Sequence, residues 1–261
     1  MPLLNRATQS LRLRLADAAD TAFRRRDALT PPRRLTGYVG NTDFRATGEE
    51  FRGHFQSLAG LRADDRVLDI GCGIGRMARI LVPVLRPPGS YDGFDIVREG
   101  IEWCRGHYVG TPAPFGFHHA DLSNAVYNPQ GREAPESYRF PFADSSFDLA
   151  VATSLFTHVL PGTAERYLAE AARVLVPGGR LFTTWLLLDC SGPPEGFVRI
   201  GPQLPGAVAD PAVPEAAVAY EELWLRERLV AHGLELDQID PGSWSGRDAL
   251  HHQDLVVAHK R

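Results

Sequence analysis

Asp69 closes the apolar run "RVLDI" and opens "GCGIGR", in which glycines recur at positions 71, 73 and 75. Alternate glycines let a backbone turn sharply and lie against a flat, polar ligand with no side chain in the way. Asp95, in "YDGFDI", lies 20 residues beyond Gly75, where a carboxylate can accept both hydroxyls of a ribose. Ile96 beside it is placed to pack on an adenine face. Asp121, after "FGFHHA", is placed to accept a hydrogen bond from the exocyclic amine. Acids at the ends of successive apolar runs, flanking a glycine loop, read as an adenosine site. NAD and S-adenosylmethionine both carry adenosine, and the rest of the loop separates them. The dinucleotide fingerprint wants a third glycine at its sixth position, where this chain has Arg76. Asp69 would repel a pyrophosphate, whereas it attracts an ammonium and a sulfonium. The reading is S-adenosylmethionine.

A reaction whose acceptor must lose a proton needs a base. The run "VATSLFTHVLP" carries Thr153, Ser154 and His158 out of a strand, and imidazole, with an ordinary pKa near 6.5, takes protons at neutral pH. His158 is therefore the leading base candidate, the alternative being a histidine that only orients a hydroxyl or packs beneath the cofactor. His251 and His252, in "RDALHHQDL", are the second. His118 and His119 alternate along a strand and read as structural. Asp144 and Asp189 have no spacing that compels a metal, and none is expected. The loop "NAVYNPQGREAPESYRFPF" offers Tyr127 and Tyr138 as contacts for an apolar or saccharide acceptor, or as anchors of a surface loop.

These residues need elements to hold them. Strands are predicted over 66–70, 90–95, 115–119, 147–153 and 180–188, with helices over 75–85, 97–107 and 163–175. Such alternation implies parallel βαβ units with helices on both faces of an open sheet, and ligands at the carboxyl ends of its strands. An N-terminal helix is predicted over 5–28, ended by "TPPRRL". Residues 189–216 are too rich in proline and glycine for regular structure and read as an insertion. A helix over 217–232 and strands near 234–239 and 253–259 follow.

The composition, 44% hydrophobic and 23% charged over 261 residues, supports one catalytic domain with embellishments. A net charge of −4 argues against a nucleic-acid partner. No apolar run is long enough to span a bilayer and the N-terminus lacks a signal-type apolar region, so a cytoplasmic protein is expected, with no membrane insertion. Cys72, Cys104 and Cys190 form no Cys-x-x-Cys pair and read as buried thiols. Residues 1–34 carry eight arginines against three aspartates, either a solvated helix face or a lid over an anionic substrate.

The motifs "VLDIGCGIGR", "GFDI", "HADLS", "FPFADSSFDLAVATSLFTHV" and "YLAEAARVLVPGGRLFTT", in this order, resemble the class I S-adenosylmethionine-dependent methyltransferases of small-molecule type. The resemblance covers residues 60–188 well and "DLVVAHK" weakly. It implies an α/β, Rossmann-like three-layer sandwich around a seven-stranded, mostly parallel sheet whose last strand is antiparallel. It also implies a cofactor-binding set of Asp69, Gly71, Cys72, Gly73, Gly75, Asp95, Ile96, Asp121, Leu122 and Thr153, with His158 catalytic. Residues 1–50 are then expected to form a lid on a methyltransferase domain at 51–261. The expected reaction is methyl transfer to a small-molecule acceptor, at a saccharide or natural-product hydroxyl in secondary metabolism. C-methylation of a quinone-like ring and a non-catalytic S-adenosylmethionine-binding partner protein are the alternatives. An oxidoreductase using NAD fits poorly with Asp69 and Arg76. A homodimer is allowed by the sequence and not specified by it.

Overall fold

The computed structural model describes residues 13, 16–17, 20, 26–39, 43–189, 192–199, 201 and 205–261. A sheet of seven strands runs in the order β3-β2-β1-β4-β5-β11-β10. Its members are β1 (Arg66–Ile70), β2 (Ser90–Asp95), β3 (Phe115–His119), β4 (Phe147–Ala152), β5 (Leu175–Trp185), β10 (Leu234–Asp240) and β11 (Asp254–Lys260). β1 pairs in parallel with β2 and β4, and β11 alone runs against its neighbours β5 and β10. The chain leaves β1 toward β2 and β3, then returns to place β4 on the other side. That reversal is a topological switch point, where open α/β sheets bind ligands.

The period-2 pattern of the strands divides two cores. Leu68, Ile70, Ala150 and Ala152 face one layer, formed with helices α4 (Pro161–Val174) and α5 (Glu222–Ala231). Val67, Leu149, Val151 and Phe182 face the other, formed with α1 (Phe44–Ser57), α2 (Arg76–Leu81) and α3 (Arg98–His107). The result is a three-layer α/β/α sandwich, the class expected. Asp69 shares the parity of Val67, so its carboxylate enters the second layer, where Tyr91 meets it.

Helix α1 falls in a stretch for which the sequence predicts no element. Asp43 caps it, its carboxylate accepting from the backbone N–H of Arg45 and Ala46 at 2.9 and 2.8 Å. Phe55 seats it edge-on against Phe182, ring centroids 5.0 Å apart, and full burial of such a ring stabilises by roughly 1.5–3 kcal/mol.

Three expectations are corrected. The helix expected over 217–232 begins at Glu222, because residues 218–221 form strand β9 (Val218–Glu221). Val218, Ala219 and Tyr220 are all buried, and a segment covered on both faces pairs more stably as a strand than as a surface helix. β9 joins β6 (Leu187–Leu188), β8 (Gly206–Val208) and β7 (Val198–Arg199) in a second, four-stranded sheet, so the proline-rich insertion does carry regular structure. The helix expected over 75–85 stops at Leu81, two residues before Pro83, which cannot donate a backbone hydrogen bond.

Most of the helix expected over 5–28 lies outside the described residues, as does Cys190. Residues 13, 16, 17 and 20 are helical. Buried Asp17 and Asp20 hold the chain that follows: Asp17 accepts from the Arg33 backbone at 2.6 Å, and Asp20 from the Arg33 guanidinium at 2.8 Å. Arg26 and Arg34 also pair with Asp17, and Arg34 lies 3.6 Å from Glu99. These arginines are thus engaged within the protein. No helix among the described residues is long and apolar enough to cross a membrane.

Candidate active site

A cavity of about 420 Å³ opens at the carboxyl ends of β1, β2 and β4. The glycine loop forms its floor. Gly71, Gly73 and Gly75 all have positive φ, at 79°, 56° and 80°, a region side-chain-bearing residues rarely adopt. Gly71 and Gly73 line the cavity with Cys72, whereas Gly75 does not. A Cβ on Gly75 would stand 3.0 Å from both Cys104 Sγ and the Tyr108 hydroxyl, so that glycine serves the packing of the loop on α3.

Asp69 is fully buried. Tyr91 donates to its Oδ2 at 2.7 Å, and Oδ1 has no hydrogen-bond partner among the described residues. Burial without water pushes its carboxyl up to about 7, with the nearby Asp95 charge adding to the shift and the Tyr91 bond opposing it. An unsatisfied buried carboxylate oxygen is costly, and Asp69 lines the cavity. A cationic ligand group removes that cost. Asp95, also lining the cavity, accepts from the backbone N–H of Gly73 at 2.8 Å and of Val97 at 2.7 Å. Burial raises its carboxyl above the usual range, and those two bonds limit the rise. Each oxygen keeps a lone pair for a further donor such as a ribose hydroxyl.

Ile96, Leu122 and Thr153 also line the cavity. Asp121 does not. Its carboxylate is held by the Arg132 guanidinium at 2.6 Å, which keeps its carboxyl below the usual range. The structure therefore brings Asp69, Asp95 and Thr153 together and leaves Asp121 outside.

On the acceptor side, His158 lines the cavity from a short turn after β4. Its Nδ1 lies 3.1 Å from the Glu215 carbonyl. A carbonyl only accepts, so Nδ1 carries the proton and the neutral ring presents Nε2 as a lone pair. The Tyr127 hydroxyl stands 3.5 Å from that Nε2. Burial lowers the imidazole below its ordinary value, against the opposing effect of its backbone bonds, so the ring is neutral at pH 7. His251 and His252 line the cavity too. His118 and His119 do not: His118 bonds Asp92 at 2.9 Å and His119 the Ile96 carbonyl at 3.2 Å. Tyr138 packs on Phe94 and Phe140 rather than the cavity. Asp144 is taken by Arg173 at 2.6 Å.

Several lining residues were not foreseen. Thr47, Glu50 and Phe51 of α1 form a wall, and their i, i+3, i+4 spacing is the one-face signal that could have found them. Asn124, Glu215 and Gln253 line it as well, from loops with no periodic pattern.

Residues 68–183 match the family model described as a methyltransferase domain. Phthiotriol/phenolphthiotriol dimycocerosates methyltransferase 1 of Mycobacterium ulcerans is 35% identical over 119 residues, which are 46% of this chain and 36% of that protein. A fatty-acid O-methyltransferase of Mycolicibacterium smegmatis is 34% identical over 119 residues, again 46% of this chain and 36% of that protein. The chain thus spans 36% of the length of these curated relatives. A SAM-dependent methyltransferase from Methanosarcina mazei shares the fold, with a TM-score of 0.51 at 24% identity over 77% of this chain and 94% of that one. Residues 68–183 thus carry a domain of the methyltransferase family, in a fold shared with S-adenosylmethionine-dependent methyltransferases. The cofactor of that family is S-adenosylmethionine, and the unsatisfied Asp69 oxygen beside a side-chain-free loop fits its charged methionyl end.

Proposed function

We propose that this protein transfers a methyl group from S-adenosylmethionine to a hydroxyl of a small-molecule acceptor, a saccharide or natural product of secondary metabolism, with His158 as the base. One observation carries the reading: the same cavity is lined by a buried carboxylate with an oxygen unpartnered among the described residues, Asp69, and by an imidazole whose Nε2 is a lone pair, His158. Asp69 would hold the methionyl ammonium, Asp95 the ribose hydroxyls, and Ile96 the adenine face. When bound, the cofactor supplies an electrophilic methyl on a sulfonium.

The chain's own task is then alignment and proton removal. His158 Nε2 takes the hydroxyl proton while its Nδ1–H stays on the Glu215 carbonyl. Thr47, Glu50 and Phe51 from one side and Glu215 from the other wall off the site, which supports residues 1–50 as a lid and the 189–216 insertion as the opposing jaw. Oxygen as the acceptor atom draws support from the fatty-acid O-methyltransferase relative. The test is incubation with methyl-labelled S-adenosylmethionine and pooled acceptors, with NMR of the labelled product. A methyl carbon bonded to oxygen supports the reading; label on a ring carbon, or no S-adenosylhomocysteine above background from any pool, overturns it.

A further inference from the structure

Glu215 takes part in two sets of contacts at once. Its carboxylate accepts from Asn124 Nδ2 at 3.0 Å and from the Ala125 backbone N–H at 2.6 Å. Its carbonyl faces His158 Nδ1 at 3.1 Å. Asn124 closes the circuit: the same Nδ2 donates to the His158 carbonyl at 3.1 Å, and its Oδ1 accepts from Val126 and Tyr127 at 3.0 and 2.9 Å. Three segments distant in sequence, the loop after β3, the turn after β4 and the end of the insertion, are thereby joined around one imidazole. Asn124 is itself buried, so its amide bonds are made away from competing water and are correspondingly directional.

We propose that the Glu215 carboxylate is a positioning residue: by fastening the insertion to the Asn124–Tyr127 loop, it holds its own carbonyl where it captures His158 Nδ1–H and so fixes the tautomer that presents Nε2 to the cavity. A free imidazole in water favours no such arrangement strongly enough to exclude the other tautomer; a carbonyl held in place does. The backbone carbonyl cannot be removed by mutation, but the side chain that anchors it can. Tyr127, positioned by the same loop, places its hydroxyl 3.5 Å from Nε2, where a phenol can donate to the lone pair of the Nδ1–H tautomer. Both ends of the ring are therefore set by one carboxylate.

This inference rests on the proposed base role only for its importance, since the arrangement itself can be read without an acceptor. The experiment is nitrogen NMR of the full chain, labelled at histidine and saturated with S-adenosylhomocysteine, with the His158 signals assigned by their loss in His158→Ala. The wild type should show His158 as the Nδ1–H tautomer. Glu215→Ala should give a mixture with the Nε2–H form. Glu215→Gln, which keeps one acceptor but sets an amide donor against the Asn124 and Ala125 donors, should fall between. In Glu215→Gln, S-adenosylhomocysteine affinity should stay within about 3-fold, under 1 kcal/mol, of wild type. A wild-type tautomer in both variants overturns the proposal, as does loss of S-adenosylhomocysteine binding in Glu215→Gln, which would make the carboxylate a general structural support. Should Glu215→Ala fail to fold, Glu215→Gln decides alone. The base role is judged separately: a tautomer shift alongside full turnover in His158→Ala would uphold the positioning and reject the base.

Discussion

Tyr91 donates to Asp69 Oδ2 at 2.7 Å and leaves Oδ1 of a fully buried carboxyl without a hydrogen-bond partner among the described residues. The end of β1 thus holds a carboxyl oxygen that a cationic ligand group can complete. Because burial raises this carboxyl to about 7, folding without ligand favours its protonated form. That contribution to stability is fully present below the unfolded carboxyl value, near 4, and is lost as pH rises through about 7.

Cofactor binding should run the opposite way. An ammonium at Oδ1 favours the ionised form, so at pH 6 binding of S-adenosylhomocysteine should release close to one proton from Asp69, and above pH 8 almost none. Titration calorimetry in buffers of different ionisation enthalpy measures this directly. Asp69→Asn should abolish the pH dependence and weaken binding about 10- to 100-fold, the worth of one charge-assisted bond. An unchanged proton count in that variant would remove Asp69 from the site.

Asp95 serves the loop as well as the ligand. Its bonds to Gly73 and Val97 N–H mean that Asp95→Ala strips two backbone donors of their acceptor along with any ribose contact. Asp95→Asn keeps one carbonyl oxygen. Calorimetry should rank affinity for S-adenosylhomocysteine as wild type above Asn above Ala, with Ala weaker than wild type by at least about 100-fold, or 3 kcal/mol. Equal loss in both variants would separate the loop from the effect.

Gly93 ties the sheet to the site. It pairs with Asp69 across β1 and β2, and a Cβ there would stand 2.7 Å from the Tyr91 hydroxyl and 2.9 Å from Cys72 Sγ. Gly93→Ala should therefore lower stability by about 1–3 kcal/mol, as overpacking does, and displace the Tyr91–Asp69 bond. Thermal unfolding reads the first effect, and the proton count on ligand binding reads the second. A stable variant with a normal proton count would contradict the close approach.

How much of this could be read in advance follows from how far each partnership reaches along the chain. The strands of the main sheet were legible because runs such as "RVLDI" and "FDLAVA" are buried on both faces and punctuated by glycine or acid. Asp69 and Asp95 followed from their places at strand ends. Asp121 had the same placement and went elsewhere, because Arg132, 11 residues on, captured its carboxylate. Helix α1 was hidden by its polar, glycine-containing sequence, although Asp43 before Thr47, Glu50 and Phe51 carried a cap and a face. β9 read as helix because "AVAYEELWLRERLV" is apolar at both periods, and only the second sheet decides between them. Glu215 left no trace at all. Its meaning lies in a contact with His158 across 57 residues, and a lone glutamate in "VPEAA" carries no local signal.

His158 gives the decisive test of mechanism. If Nε2 takes the acceptor's proton, His158→Ala should cut turnover by about 10²- to 10⁴-fold and leave S-adenosylhomocysteine affinity nearly unchanged. The base must be neutral to act, so activity should rise with pH through the His158 pKa and level off above it. Burial lowers that pKa, which puts the ascending limb below the ordinary imidazole value near 6.5. The Asp69 proton titrates higher, at about 7, and acts on cofactor binding rather than on the chemical step. At saturating cofactor the Asp69 limb should therefore vanish from the turnover profile and the His158 limb remain. Asp69→Asn should leave that remaining limb in place, and His158→Ala should erase it. A limb that survives in His158→Ala assigns the proton to His251 or His252, which line the same cavity, and the double replacement of those two residues would then be the variant that flattens the profile.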